Sequence, residues 1–166
     1  MGYVLREMKK AEYAWLDEFL YEAIFIPEGA EAPKKSIIQM PELQVYIEGF
    51  GTKKDDHCIV AEAEDGMLMG AAWVRIMNDF GHVDDETPSL AISLYKQHRG
   101  QGAGTAMLSE LLARLKRKGY RQTSLAVQKA NYAVRMYTKL GYEIVGENEE
   151  EYIMVNRLAV KRGAML

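Results

Sequence analysis

Three glycines, Gly100, Gly102 and Gly104, lie within five positions and lead directly into an apolar stretch that favours a helix. The stretch reads HRGQGAGTAML, and the run SLAISLY before it is typical of a strand, so the glycines occupy a strand-to-helix turn. The first amides of a helix have no partner within the helix, and they lie at the positive end of its dipole. Glycine allows an anion to approach these amides closely, so a phosphate group is the expected ligand.

Two common phosphate-binding motifs do not fit this turn. A P-loop and a dinucleotide fingerprint both fail because Thr105 and Met107 occupy positions where these motifs would need a further glycine. The remaining pattern is Arg-x-x-Gly-x-Gly, formed by Arg99, Gly102 and Gly104.

This pattern resembles the acetyl-CoA pyrophosphate loop of the GNAT superfamily of N-acyltransferases, Arg/Gln-x-x-Gly-x-Gly/Ala. Downstream, NYAVRMYTKLGYEIVGE is similar to the second half of the family signature, which has Asn, Ala, Tyr and Leu-Gly-Phe/Tyr in that order. The two motifs stand at their normal separation and together cover residues 89–147. One departure precedes the loop, where Lys96 and His98 replace the Pro and Tyr of many relatives.

The resemblance implies where acetyl-CoA would bind. The loop amides would hold the pyrophosphate, the backbone of Leu94 and Tyr95 would pair with the amide-bearing pantetheine arm, and Asn131 would bond the arm or a water molecule. The implied cofactor-binding residues are Leu94, Tyr95, Arg99, Gly100, Gln101, Gly102, Ala103, Gly104, Thr105, Asn131 and Tyr137. No metal ion is required.

The resemblance also implies an activity, the transfer of an acetyl group to a primary amine that attacks the thioester directly in a ternary complex. Tyr137 matches the general acid of the family, and a phenol with an ordinary pKa near 10 has a proton to give at neutral pH. Simple core packing is the alternative interpretation of Tyr137, which lies on the apolar face of its predicted helix. A non-catalytic acyl-CoA binding or sensing module is the alternative function.

An acceptor ammonium with a pKa near 10 must lose a proton before it can attack. In the family, an acidic residue on or next to the strand before the loop often removes this proton. The segment DDETPSLAI offers Asp84, Asp85 and Glu86, and we select Glu86 because it lies nearest the strand; Asp79 is a further option. A solvated acidic loop is the competing interpretation of this segment.

The spacing of apolar residues predicts the elements that position these groups. It predicts helices over residues 11–25, 41–51, 103–118 and 131–140, with Asn131 as N-cap of the last, and strands over residues 3–9, 57–64, 67–77, 89–95, 123–127, 142–147 and 151–160. A two-residue turn at Asp65 and Gly66 is expected to join the second and third strands. The predicted fold is α/β, a mixed, mostly antiparallel central sheet flanked by helices. The resemblance adds that two parallel strands, Ser89–Tyr95 and Ser124–Val127, splay apart.

Composition limits the remaining possibilities. The chain has 166 residues, 48% of them apolar, which predicts one domain over residues 1–166, and the resemblance implies that it is an N-acetyltransferase domain. With 21 basic and 24 acidic residues the net charge is -3, which argues against nucleic-acid and membrane partners.

Cys58 is the single cysteine, so we expect no metal site. No leader or membrane-spanning run is evident, so we expect a cytoplasmic protein. The family is often dimeric, so the resemblance allows a homodimer.

Overall fold

The computed structural model describes residues 2–158, which form one seven-stranded sheet between layers of helices. The strands are β1 Tyr3–Glu7, β2 His57–Ala63, β3 Leu68–Arg75, β4 Ser89–Leu94, β5 Gln122–Gln128, β6 Tyr142–Glu147 and β7 Glu151–Arg157. The α-helices are α1 Leu16–Ala23, α2 Pro41–Gln44, α3 Ala103–Arg117 and α4 Val134–Lys139. The strand order is β1-β2-β3-β4-β5-β7-β6, and every neighbouring pair is antiparallel except β4 and β5. The predicted fold class is confirmed.

The apolar side chains fill two cores, one on each face of the sheet. α3 and α4 cover one face, where Met107, Leu108, Leu111 and Leu115 of α3 are at most 1% exposed. α1 and the residues around α2 cover the other face over β2 to β4, with Trp73 fully buried beneath them. Because β2 and β3 are covered on both faces, their sequences are apolar almost throughout.

The hairpin between β2 and β3 differs from the predicted two-residue turn. The N–H of Ala63 donates to Met67 O and the N–H of Gly66 donates to Ala63 O, each at 2.9 Å, which leaves a three-residue loop. Gly66 has a φ of 89°, whereas Asp65 does not have a positive φ. The strands thus use the alternative hairpin geometry in which one glycine takes the left-handed position.

The predicted helix over residues 11–25 is wrong in its first half, which is a 3₁₀ segment, Lys10–Trp15, followed by α1. The cause is a set of hydrogen bonds to the Glu12 carboxylate. It accepts the N–H of Lys9 at 2.8 Å and the guanidinium of Arg6 from β1 at 2.8 and 3.0 Å. These bonds fix a tight first turn against the sheet, which helical periodicity alone does not reveal.

The predicted helix over residues 41–51 is also shorter, since only α2 is α-helical. Arg75 of β3 donates to the carbonyl groups of Val45 at 3.3 Å and Glu48 at 2.8 Å. Arg75 is itself held in a buried ion pair with Asp56, with Nε and Oδ1 3.0 Å apart. The hydrogen bonds from Arg75 therefore determine the conformation of the segment after α2, and its helical spacing of apolar residues does not.

The last predicted helix begins later than expected, and the last predicted strand ends earlier. α4 begins at Val134, three residues after the predicted N-cap, although the Asn131 side chain does accept the N–H of Ala133 at 2.8 Å. β7 ends at Arg157, and the last two residues of the predicted strand over residues 151–160 lie outside the described residues. Within residues 2–158, no helix combines the length and apolar character needed to cross a membrane.

Candidate active site

The parallel strands β4 and β5 are paired at one point and then diverge. Ser89 lies opposite Ser124, and the N–H of Ser124 donates to Pro88 O at 3.0 Å. Beyond these serines, no ladder pair joins the two strands within the part of the chain that the structure describes. An opening therefore runs between the strands toward the end of β4, as predicted for this fold.

The backbone of β4 supplies hydrogen-bonding groups to this opening. The N–H of Tyr95 donates to Met69 O of the β3 side at 3.0 Å. Since alternate residues of a strand direct their backbone groups to opposite neighbours, Ile92 and Leu94 direct theirs toward β5 and the opening. Leu94 and Tyr95 were the two residues predicted to pair with the pantetheine arm through their backbone. Leu94 faces the opening, whereas the N–H of Tyr95 is already bonded to β3.

The glycine turn follows β4 and forms the N-terminus of α3, a helix of 15 residues. Gly100 and Gly102 have φ values of 75° and 91°, which residues with a side chain rarely adopt. Helical bonding begins with the N–H of Ala106, which donates to Gly102 O at 3.1 Å. The amides of residues 100–105 have no acceptor among the described residues, so this turn presents a group of unpaired donors at a helix N-terminus.

Two predicted side chains of this turn hold it in place. Arg99 donates through Nε to Leu94 O at 2.9 Å and through Nη2 to the Glu22 carboxylate of α1 at 2.9 Å. Gln101 donates to Gln97 O at 3.1 Å. The Arg99 charge is thus paired with Glu22 although the side chain is partly exposed, whereas the backbone amides of the turn are donors without a partner of their own within residues 2–158.

Tyr137 lies on α4 in the same core as Leu94 and is 8% exposed. Its ring contacts Tyr142 edge to face, with centroids 5.7 Å apart, and none of the residues from 2 to 158 is hydrogen-bonded to its hydroxyl. Burial raises the pKa of Tyr137 above its ordinary value, so the phenol keeps its proton at neutral pH. The predicted Asn131 lies before α4, where its side-chain oxygen is engaged with Ala133.

Asp79 lies where β4 and β5 begin to part. One carboxylate oxygen accepts Ser89 Oγ at 3.0 Å and the other accepts Tyr46 Oη at 3.2 Å. Gly81, two residues later, lies so close to β5 that an added Cβ would be 2.9 Å from the Ala126 nitrogen. Partial burial raises the pKa of Asp79, although the two hydrogen bonds oppose this effect.

Glu86, the predicted base, does not lie at the point where β4 and β5 part. It is exposed, and it borders a separate cavity of about 440 Å³ that Tyr120 and Gln122 also line, next to the first residues of β4 and β5. The glycine turn follows the opposite end of β4. Asp79 also lies near the first residues of β4, but its hydrogen bond to Ser89 places it at the point where β4 and β5 part, while Glu86 stays a prediction. In residues 2–158, no cluster of three or more His, Cys, Asp or Glu side chains is suited to a metal ion.

Comparison with known proteins agrees with this geometry. The model of the acetyltransferase (GNAT) family matches residues 12–142, which include α1, the opening, the glycine turn and α4. The chain belongs to the GNAT acetyltransferase family.

A curated relative of this GNAT chain is the uncharacterized N-acetyltransferase YobR of Bacillus subtilis (strain 168). It is 25% identical over 135 residues, covering 81% of this chain and 47% of YobR. The chain thus spans about half the length of that relative.

Solved structures of other acetyltransferases share the fold. PaiA N-acetyltransferase from Thermoplasma acidophilum, in complex with coenzyme A, has a TM-score of 0.69 at 20% identity, covering 95% of this chain and 99% of that one. YncA from Salmonella typhimurium, a putative acetyltransferase with its cofactor acetyl-CoA, has a TM-score of 0.65 at 20% identity, covering 95% of each chain.

Two residues of the candidate site are absent from the sequence-based set. Tyr46 follows α2 and Ser89 begins β4, and both are hydrogen-bonded to Asp79. Ser89 is a fully buried polar residue in an otherwise apolar strand, which is a pattern that could have drawn attention to it. Tyr46 has no such pattern, because its position depends on how the segment after α2 crosses the sheet.

Proposed function

We propose that this GNAT protein transfers an acetyl group from acetyl-CoA to a primary amine by direct attack in a ternary complex. The observation that carries the proposal is the set of unpaired amides at residues 100–105, placed at the end of the opening between β4 and β5. The solved complexes of PaiA with coenzyme A and of YncA with acetyl-CoA support the choice of ligand.

In the proposed arrangement, the amides of residues 100–105 hold the pyrophosphate of coenzyme A, as the helix N-terminus favours. The backbone groups of Ile92 and the N–H of Leu94 pair with the pantetheine arm, replacing the strand contacts that β5 does not make, while Leu94 O stays bonded to Arg99. From Ser89 to Leu94 the strand extends about 16 Å, at roughly 3.3 Å per residue, which gives an extended arm room to lie along it.

The chemistry is assigned to two side chains. Asp79 accepts a proton from the acceptor ammonium, whose free amine then forms the N–C bond to the acetyl carbon while the C–S bond breaks. Tyr137 donates its phenolic proton to the departing thiolate sulfur, and the second proton, which the attacking nitrogen releases on becoming an amide, restores the phenol; the buried ring excludes water from the sulfur. Glu86, exposed beside a different cavity, is the competing candidate for the base.

Gly104→Ala tests the placement of coenzyme A with two opposite effects. Gly104 has an ordinary helical conformation, and an added Cβ would meet only Leu94 Cδ1 at 3.7 Å and Met136 Sδ at 3.8 Å. Without ligand, alanine is expected to stabilise the first turn of α3 by about 0.5 kcal/mol, because glycine is the poorer helix former. With coenzyme A, the methyl group should hinder the phosphate, and calorimetric titration should record a weaker affinity, about tenfold or more.

An unchanged affinity in Gly104→Ala, together with the higher melting temperature, would contradict this placement. Ser109→Ala, on an exposed position later in α3, provides a control in which the affinity for coenzyme A should stay the same.

The activity itself is tested by following thiol release from acetyl-CoA with a panel of primary amines, including diamines, amino acids, amino sugars and peptides. Turnover with at least one amine is the expected result. Binding of acetyl-CoA without turnover on the whole panel would favour the non-catalytic binding module, and no binding at all would overturn both functions. The single domain over residues 1–166, the cytoplasmic location and a homodimer stay predictions.

A further inference from the structure

The backbone around Tyr46 is held in place by two side chains of β3. Trp73 Nε1 donates to Tyr46 O at 2.9 Å, and Arg75 Nη1 donates to Val45 O and Glu48 O on either side of it. Trp73 is fully buried and Arg75 is 2% exposed, so neither donor can move easily. The position of Tyr46 is therefore fixed by the sheet, although Tyr46 itself lies in an irregular segment.

The hydroxyl of Tyr46 meets Asp79 at the opening. It donates to Asp79 Oδ2 at 3.2 Å, while Ser89 Oγ donates to Asp79 Oδ1 at 3.0 Å. Two donors on different oxygens determine the orientation of the carboxyl group and favour its ionised form. The Ser89 hydroxyl is also 3.3 Å from Ser124 Oγ, which connects this arrangement to β5.

An acidic residue interacts electrostatically with Asp79. Glu151, at the start of β7, has a raised pKa because of burial, the neighbouring Glu150 and Asp79 itself. No lysine, arginine or histidine in the described part of the chain forms an ion pair with Asp79. Two hydroxyl groups, from Tyr46 and Ser89, thus provide the side-chain hydrogen bonds that stabilise this carboxylate.

We propose that Tyr46 is a positioning residue, held by Trp73 and Arg75, whose hydroxyl orients the Asp79 carboxylate at the opening and stabilises its ionised form. This inference rests on the proposed function, in which Asp79 removes the proton of the acceptor amine. Tyr46 acts only through Asp79 and does not touch the reacting atoms.

Tyr46→Phe tests the inference through the pH profile. The variant retains the ring but removes one hydrogen bond to the carboxylate, so the acidic limb of kcat/KM should move upward by about half to one pH unit. A carboxyl carbon NMR titration of Asp79 in the free enzyme should record the same upward change. Ser89→Ala removes the other donor and should move both measurements in the same direction.

A matched control is Tyr120→Phe. Tyr120 also donates its hydroxyl to an aspartate, Asp55, but beside the separate cavity that Glu86 borders rather than at the opening. Its replacement should leave the acidic limb and the Asp79 titration unchanged. A structural defect caused by the loss of any buried hydroxyl would instead appear in both tyrosine variants.

The two proposals fail in different ways. If Asp79→Asn keeps the acidic limb of the original enzyme, Asp79 is not the base and the assignment in the proposed function falls. If Asp79→Asn abolishes the limb while Tyr46→Phe and Ser89→Ala leave the Asp79 titration where it was, the positioning role of Tyr46 is wrong.

Discussion

Replacing Tyr137 by Phe is expected to lower kcat by about 10²- to 10⁴-fold, the usual contribution of a general acid, and to leave the stability of the protein unchanged within about 0.5 kcal/mol. The two effects separate because the hydroxyl of Tyr137 has no hydrogen-bond partner within residues 2–158, while the ring packs in the core. Phenylalanine keeps the ring and its contact with Tyr142. Steady-state kinetics and thermal unfolding of the same preparation measure both quantities.

The same variant decides between catalysis and packing. If Tyr137 served only to fill the core, Tyr137→Phe would retain full activity, since packing requires the ring alone.

Leu111→Ala in α3 offers a comparison in which stability should change and activity should not. It removes a buried side chain far from the reacting atoms and should reduce stability by about 2–5 kcal/mol while the remaining folded enzyme stays active.

Asp79→Asn should reduce kcat/KM by about 10²-fold or more and remove the acidic limb of its pH profile. Activity requires the ionised carboxylate, and partial burial raises the pKa of Asp79, so in the original enzyme the activity should increase with pH above the ordinary range of an aspartate. Asparagine cannot accept a proton, and the limb should disappear. The measurement is kcat/KM against pH with a saturating concentration of acetyl-CoA.

Glu86→Gln is the matched change at the competing position. Because Glu86 is exposed beside another cavity, we expect its replacement to alter neither the limb nor kcat/KM. The reverse outcome, in which Glu86→Gln removes the limb and Asp79→Asn does not, would make Glu86 the base.

The elements next to the glycine turn were predictable because each depends on local sequence. The apolar face of α3 follows from the spacing of Met107, Leu108, Leu111 and Leu115, and its start follows from the glycines at 100 and 102. The order of strands and helices, together with the two motifs, was enough to identify the fold.

The surroundings of Asp79 were not predictable, because they depend on contacts between distant segments. Tyr46 reaches the opening only because Arg75 and Trp73 hold the segment after α2, and no periodic pattern contains that information. Proximity to a strand along the sequence favoured Glu86, yet the chain between β3 and β4 turns so that Asp79, ten residues before Ser89, is hydrogen-bonded to it.

Within residues 2–158, Ser89 and Ser124 form the one ladder pair between β4 and β5, so the sheet consists of two parts, β1 to β4 and β5 to β7, that share little backbone hydrogen bonding. A molecule lying along the gap would complete the interrupted ladder and act as an additional strand. Occupancy and resistance to unfolding are then linked: a ligand present at 100 times its Kd adds about 2.7 kcal/mol to the free energy of unfolding. The donor substrate would thus be part of the architecture for as long as it stays bound.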